Sequence, residues 1–165
     1  MILIGIGSNL PTEAGPPIAT CIRALERLNE RGIAVTRCSP WYETAPVPIS
    51  DQPWFANGVA EVETTLAPIW LLEVLQAIEH DFGRVRGIEN APRTLDLDLL
   101  AYNEVVLDVE RLILPHPRLQ DRAFVLQPLC DMAPDWRHPT LGLTAAELLS
   151  RLQPGQVLRR FHGNP

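Results

Sequence analysis

The sequence predicts one domain over residues 1–165, an α/β or α+β sandwich with helices packed on a sheet. Three observations lead there. About four apolar or β-branched runs are interleaved with two segments of helical periodicity. At 165 residues, 46% of them hydrophobic, the chain is long enough to bury about 70% of its unfolded surface in one core. No repeat, low-complexity tract or inter-domain linker interrupts the pattern.

Ile2-Leu3-Ile4-Gly5-Ile6 reads as a buried strand stopped by the turn residues Gly7-Ser8-Asn9. A helix follows, because Ile18, Cys21, Ile22, Leu25 and Leu28 recur at helical spacing. Pro16 and Pro17 suit its start, and Gly32 is placed to end it. The stretch from Ile33 to Tyr42 is β-branched enough for a second strand. A Pro-rich loop then runs from Glu43 to Pro53, and Phe55 to Thr64 forms a third strand. Pro68 opens a second helix that turns Leu71, Leu72, Leu75, Ile78 and Phe82 inward, and Gly83 closes it. After a polar loop, Arg93 to Tyr102 resumes a period of two as the fourth strand. Tyr102-Asn103-Glu104 turns the chain into Val105 to Leu107, and Leu112-Ile113-Leu114 adds an edge segment before Pro115. The remainder is more helical, with Thr144 and Glu147 forming a capping-box pattern ahead of Leu148, Leu149 and Leu152.

Composition removes several classes of function. Lysine is absent and all 14 basic residues are Arg, which excludes a Walker lysine, a Schiff-base lysine and a lysine general base. Against 20 acidic residues the net charge is -6, which disfavours non-specific binding to nucleic acid. No apolar run is long enough for a membrane span, and the start has no basic region before its hydrophobic stretch. The expectation is a cytoplasmic protein without membrane attachment. Cys21, Cys38 and Cys130 are odd in number and widely spaced, so they read as small apolar residues rather than a disulfide framework or zinc site.

The chemistry is concentrated in the fourth strand. Alternation sends Leu95, Leu97 and Leu99 to one face and Asp96 and Asp98 to the other, with the two carboxylate stems roughly 6.5 Å apart. Such a pair can share a hard cation such as Mg²⁺, completed by waters and substrate phosphates; a solvated sheet face is the alternative. Arginines crowd around this pair: Arg84, Arg86 and Arg93 before or beside it, then Arg111, Arg118 and Arg122 after it, with His116 among them. Guanidinium forks bind phosphate oxygens, so the mixture fits phosphoryl chemistry; taken singly, each Arg is better read as one half of an ordinary surface ion pair. His80, His138 and His162 have no metal-ligand spacing among themselves.

Gly83-Arg84-Val85-Arg86, Ala91-Pro92-Arg93-Thr94-Leu95-Asp96-Leu97-Asp98-Leu99-Leu100 and Leu114-Pro115-His116-Pro117-Arg118 together resemble the 6-hydroxymethyl-7,8-dihydropterin pyrophosphokinase family of folate biosynthesis. The similarity extends, in order, from Gly5-Ile6-Gly7-Ser8-Asn9-Leu10 through Tyr42-Glu43-Thr44-Ala45-Pro46 and Asp51-Gln52-Pro53 to Ala133-Pro134. The Pro-Arg-Thr-Leu-Asp-Leu-Asp segment is the specific part.

The resemblance implies a ferredoxin-like sandwich with a mainly antiparallel sheet, transferring the diphosphate of ATP to the pterin hydroxymethyl group and releasing AMP. Its substrates would be ATP and 6-hydroxymethyl-7,8-dihydropterin. It further implies that Asp96 and Asp98 hold two Mg²⁺ ions and that Arg84 and Arg93 are catalytic. Gln76, Glu79, Arg86, Leu99, Arg111, Ile113, His116 and Arg122 would line the nucleotide site. For the pterin, it implies aromatic rings at Phe55 and Phe124, an amide at Asn57, and backbone groups of Thr44, Ala45, Pro46 and Val47. The readings of an isolated Phe as core, of Asn57 as a turn cap and of 43–53 as ordered loop rather than lid stand beside these.

Two departures stand out. Glu89-Asn90 occupies a neighbourhood where many members carry Arg followed by an aromatic, and Pro117 follows His116 where some members have an aromatic. Two other classes compete with a kinase: a metal-dependent phosphohydrolase using the same carboxylates, and a non-catalytic ferredoxin-like domain that binds a small anion.

Overall fold

The computed structural model describes residues 1–83 and 94–163. Arg84, Arg86 and Arg93, and with them Glu89 and Asn90, lie outside the described residues.

The first strand, β1 (Ile2–Ser8), runs two residues past the stop expected after Ile6, because Gly7 still pairs with Asn57 and Asp96, and Ser8 with Ala56. Helix α1 (Pro17–Glu30) opens on Pro as expected, and Gly32 beyond it takes a φ of +80. The expected second strand is two. β2 (Ala34–Cys38) and β3 (Tyr42–Thr44) are separated at Ser39-Pro40-Trp41. They share one edge of β4 (Phe55–Glu63), β2 pairing with its 60–63 end and β3 with its 55–57 end. Ser39 closes the gap, donating its N–H to Val59 O at 2.8 Å and accepting Val59 N–H on Oγ at 2.9 Å. Helix α2 (Pro68–Asp81) follows as the periodicity predicts, and strand β5 (Asp96–Tyr102) keeps the expected end but begins only after Thr94 and Leu95, later than the start expected at Arg93.

The order β1-α1-β2-β4-α2-β5, with the antiparallel sheet running β5-β1-β4-β2, is the ferredoxin-like β-α-β-β-α-β arrangement. Ile2, Ile4 and Ile6 of β1 and Leu95, Leu97 and Leu99 bury one face of the sheet against α1 and α2. The opposite face is covered too. Leu3, Val59, Leu100 and Ala101 pack there against α3 (Ala123–Met132) and α4 (Ala145–Ser150). α4 carries the expected capping box, with Glu147 N–H on Thr144 Oγ1 at 3.1 Å and Thr144 N–H on the Glu147 carboxylate at 2.8 Å.

The segment expected at Val105 to Leu107 begins later. It forms β6 (Leu107–Val109), a hairpin with β7 (Leu112–Leu114), after a turn in which Asn103 adopts φ +49. A last strand that the sequence pattern does not signal, β8 (Leu158–Arg160), pairs with β3. The cysteines are free thiols; Cys21 is buried, which pushes its thiol up and agrees with its reading as a small apolar residue, whereas Cys38 is exposed and Cys130 half-buried.

Candidate active site

The site is built across four strands at one end of the sheet. On β1, Gly7 pairs with Asp96 of β5 on one side and Asn57 of β4 on the other. Gly5 likewise pairs with Asp98 and Val59. The glycines leave a floor without side chains between the carboxylates and Asn57. At Gly7 this is a steric requirement, since a Cβ there would stand 2.6 Å from Asn57 Oδ1. Asn57 is buried, and its Nδ2 donates to Thr44 Oγ1 at 2.6 Å, so the amide is held from β3. It sits in mid-strand and caps no turn.

Two cavities meet at this floor. The first brings together all seven residues expected at the pterin: Thr44, Ala45, Pro46 and Val47 after β3, Phe55 and Asn57 of β4, and Phe124 of α3. Gly7, Asp96 and Arg122 line it as well. The second collects Gln76 and Glu79 from α2, Leu99 from β5, Arg111 and Ile113 from the β6–β7 hairpin, and His116. Asp96 and Asp98 stand on its wall as well. Asp96 therefore faces both cavities. Of the described residues expected at the nucleotide, only Arg122 lies on the first cavity instead of the second.

Electrostatics divide the charged groups. Arg122 places Nη1 3.7 Å from Asp98 Oδ2, and its guanidinium lies 5.3 Å from the centre of the Phe124 ring. Arg111 is exposed and donates through both terminal nitrogens to Glu73 Oε1, each at 3.1 Å. His116 is held from both sides. Its N–H donates to Leu100 O at 2.8 Å, and its Nδ1 accepts the Arg118 N–H at 3.1 Å. Burial, and then the charge of Arg122, lower its pKa from 6.5 to about 4, with Asp96 opposing. It is neutral near pH 7, and because Nδ1 is an acceptor the proton resides on Nε2.

Glu79 is buried, and its Oε2 accepts the Leu97 N–H at 3.1 Å. Among the described residues β5 is the sheet's edge on this side, so Leu97, paired with β1 on the other, has no second strand to take that N–H. Glu79 thus joins α2 to β5 beneath the carboxylates.

Asp96 and Asp98 are half-buried on the same face of β5, and among the described residues no cluster of three or more His, Cys, Asp or Glu forms. Two oxygen donors beside a cavity open to solvent suit a hard cation that keeps waters and takes phosphate oxygens; they do not suit a closed zinc site.

Sequence reasoning missed the residues that tie the site together. Asn9 is buried and donates through Nδ2 to Gln52 Oε1 and Pro53 O, each at 3.2 Å. Ser8 Oγ donates to Thr94 O at 2.6 Å. Adjacent residues at the end of β1 thereby anchor the 45–54 loop and the approach to β5. Pro48, Ser50 and Gln52 also line the first cavity. The Gly-x-Gly-Ser-Asn run was the available signal, since two glycines at a strand end mark close approach by other groups.

A family model described as 7,8-dihydro-6-hydroxymethylpterin-pyrophosphokinase (HPPK) matches residues 3–134. The chain is 48% identical over 162 residues to a 2-amino-4-hydroxy-6-hydroxymethyldihydropteridine pyrophosphokinase of Pseudomonas aeruginosa, covering 98% of this chain and 97% of that one. It is 41% identical to the folic acid synthesis protein fol1 of Pneumocystis carinii over 92% of its own length, but spans only 20% of that protein. Among solved structures, an HPPK-DHPS triple mutant of Plasmodium falciparum superimposes with a TM-score of 0.70 at 16% identity, over 91% of this chain and 44% of that one. That likeness concerns the fold.

Proposed function

Because the chain belongs to the 6-hydroxymethyl-7,8-dihydropterin pyrophosphokinase family, we propose that its two cavities hold the two substrates of that reaction and join them at Asp96. The protein transfers the diphosphate of ATP to the hydroxymethyl group of 6-hydroxymethyl-7,8-dihydropterin, giving the pterin diphosphate and AMP in folate biosynthesis. The single observation that supports the assignment of the cavities is that Asp96 lines both. A reaction between two bound molecules needs one place where both come within bonding reach.

In this reading the hydroxymethyl oxygen attacks the β-phosphorus. The new O–P bond forms as the bond from that phosphorus to the α–β bridging oxygen breaks, AMP leaves with that oxygen, and the proton of the hydroxymethyl group passes to water. Phe55 and Phe124 offer apolar faces to the flat pterin. Thr44 takes one hydrogen of the Asn57 amide and so fixes its orientation toward the pterin's amide-like edge. On the nucleotide side Leu99 and Ile113 supply apolar wall, Gln76 a polar edge, and neutral His116 an Nε2–H donor for an oxygen. Arg111 must divide itself between Glu73 and a phosphate. Arg122, between Asp98 and Phe124, can steady a phosphate as it approaches the pterin. Glu79 acts on the backbone of β5 and keeps the carboxylates in place.

Asp96 and Asp98 would hold Mg²⁺, two ions in our reading, and the metal would supply charge neutralisation on the triphosphate. Arg84 and Arg93 are proposed to stabilise charge on the transferring group, and Arg86 to bind phosphate. We take residues 1–165 as one pyrophosphokinase domain and place it in the cytoplasm; no described helix is long and apolar enough to cross a membrane.

The test is direct product analysis with ATP and the pterin, with and without Mg²⁺. The reading predicts AMP and pterin diphosphate in equal amounts, and only with the metal. ADP, or phosphate release without a pterin diphosphate, would overturn it in favour of another phosphoryl transfer or a phosphohydrolase.

A further inference from the structure

We propose that the segment 156–160, beyond the family-matched residues 3–134, positions both walls of the first cavity, with Gln156 capping α3 from a distance. The inference rests on the reading of that cavity as the pterin site.

Helix α3 starts at Ala123 with Arg122 in the N-cap position, and the Arg122 side chain makes no cap hydrogen bond. The first N–H groups of a helix have no partner within it, so an acceptor must come from elsewhere. Gln156 supplies one. Its Oε1 accepts the Ala123 N–H at 2.8 Å, and its Nε2 donates to Asp121 O at 2.8 Å. One side chain thus fixes the backbone on both sides of Arg122. Arg122 and Phe124, which flank Ala123, are the residues this end of the helix presents to the cavity.

The chain then holds the opposite wall. Val157 O accepts the Ala45 N–H at 3.0 Å, and Leu158 pairs with Thr44 as β8 joins β3. Arg159 Nε donates to Glu43 at 2.6 Å, and its guanidinium lies 4.8 Å from the Trp54 ring centre. The 45–54 loop is therefore held near both its ends, at Ala45 and at Trp54. Consecutive residues of one extended segment join the start of α3 to the strand and loop that carry Thr44, Ala45, Pro46 and Val47. The distance between the two sides of the cavity is set by this segment, so its removal should loosen pterin binding more than nucleotide binding. The second cavity takes no residue from it.

Steady-state kinetics and thermal melting of Gln156→Ala, Gln156→Glu, Arg159→Ala and Phe124→Ala test this. Gln156→Ala should raise KM for 6-hydroxymethyl-7,8-dihydropterin about fivefold to tenfold, as expected for a lost cap, while KM for ATP stays within about twofold. Gln156→Glu keeps the acceptor for Ala123 N–H and should fall between wild type and Gln156→Ala. Arg159→Ala, at an exposed pair and ring contact, should raise the pterin KM only about twofold. Phe124→Ala separates the two ideas. If it weakens pterin binding while Gln156→Ala does not, the positioning role is wrong and the cavity assignment stands. If Phe124→Ala leaves pterin binding unchanged, the cavity assignment fails and this inference with it. A Gln156→Ala protein that raises both KM values alike, or only melts earlier, has lost a structural contact and refutes the positioning role.

Discussion

Replacing Gly7 by Ala puts one methyl group into the floor of the site, where there is no room for it. The new Cβ would stand 2.6 Å from Asn57 Oδ1, so the amide must retreat by roughly 0.8 Å to reach ordinary contact. It cannot do so alone, because its Nδ2 is bonded to Thr44 Oγ1 at 2.6 Å. Stretching that bond, and misplacing the one or two bonds Asn57 offers the pterin, should cost about 1–3 kcal/mol of binding, or about fivefold to a hundredfold in KM. Overpacking should also destabilise the fold by about 1–3 kcal/mol. Gly5→Ala is the internal control. It lies on the same strand, but its Cβ would meet Leu100 Cδ1 at 3.4 Å, an ordinary contact with a flexible side chain. The assay is steady-state kinetics with the pterin varied at saturating ATP, with thermal melting alongside. Gly7→Ala should raise the pterin KM and leave the ATP KM nearly unchanged, and Gly5→Ala should raise neither. An unchanged pterin KM in Gly7→Ala, or equal effects of the two substitutions, would refute the steric argument.

Asp96→Ala and Asp98→Ala should each slow Mg²⁺-dependent turnover by about a thousandfold or more while the proteins still fold, since lost metal catalysis amounts to several kcal/mol of barrier; rapid quench and circular dichroism check the two halves. Glu73→Gln removes the carboxylate that competes for Arg111 and should lower KM for ATP about twofold, in line with an exposed ion pair. Tyr42→Phe deletes the phenol's hydrogen bond to Asp131 and should cost about 1 kcal/mol by urea unfolding at pH 8. Burial and then that bond to Asp131 push the Tyr42 phenol up to about 12, against about 10 when unfolded. The folded state then holds the proton more tightly. The stabilisation is fully present below pH 10 and is lost as pH rises toward 12, so the gap between wild type and Tyr42→Phe should narrow there.

The periodic elements were legible because one interaction decided each. The three-and-four spacing of Ile18, Cys21, Leu25 and Leu28 reports a single buried helix face, and Pro17 and Gly32 mark its ends. What local pattern could not report was covering from a distance. Helix α3 holds Pro128 inside it and begins on a cap 33 residues away in sequence, so neither its start nor its interior follows the usual signals. Strand β8, with its Leu-Arg-Arg sequence, exists because β3 offers it an edge. The break at Ser39-Pro40-Trp41 falls in a run that favours a strand on either side; Pro40, which cannot donate to a ladder, was its one local signal, and the pairing with β4 shows the two strands.

The site divides in the same way. Asp96 and Asp98 were visible as alternating acids in an apolar strand, and the structure places them on one face between two cavities. The family resemblance supplied residues that gather in those cavities. Asn9 and Gln52 stood inside runs that carried the resemblance, without a role assigned to either, and Gln156 stood in no motif, because the importance of all three lies in which groups they meet.

The most direct measurement of the central claim is a crystal structure with the pterin, Mg²⁺ and an ATP analogue whose α–β bridging oxygen is replaced by a methylene. The account predicts the pterin beside Phe55, Asn57 and Phe124, metal on Asp96 and Asp98, and the hydroxymethyl group facing the β-phosphorus where the cavities meet. A pterin bound elsewhere, or metal held away from both aspartates, would contradict it.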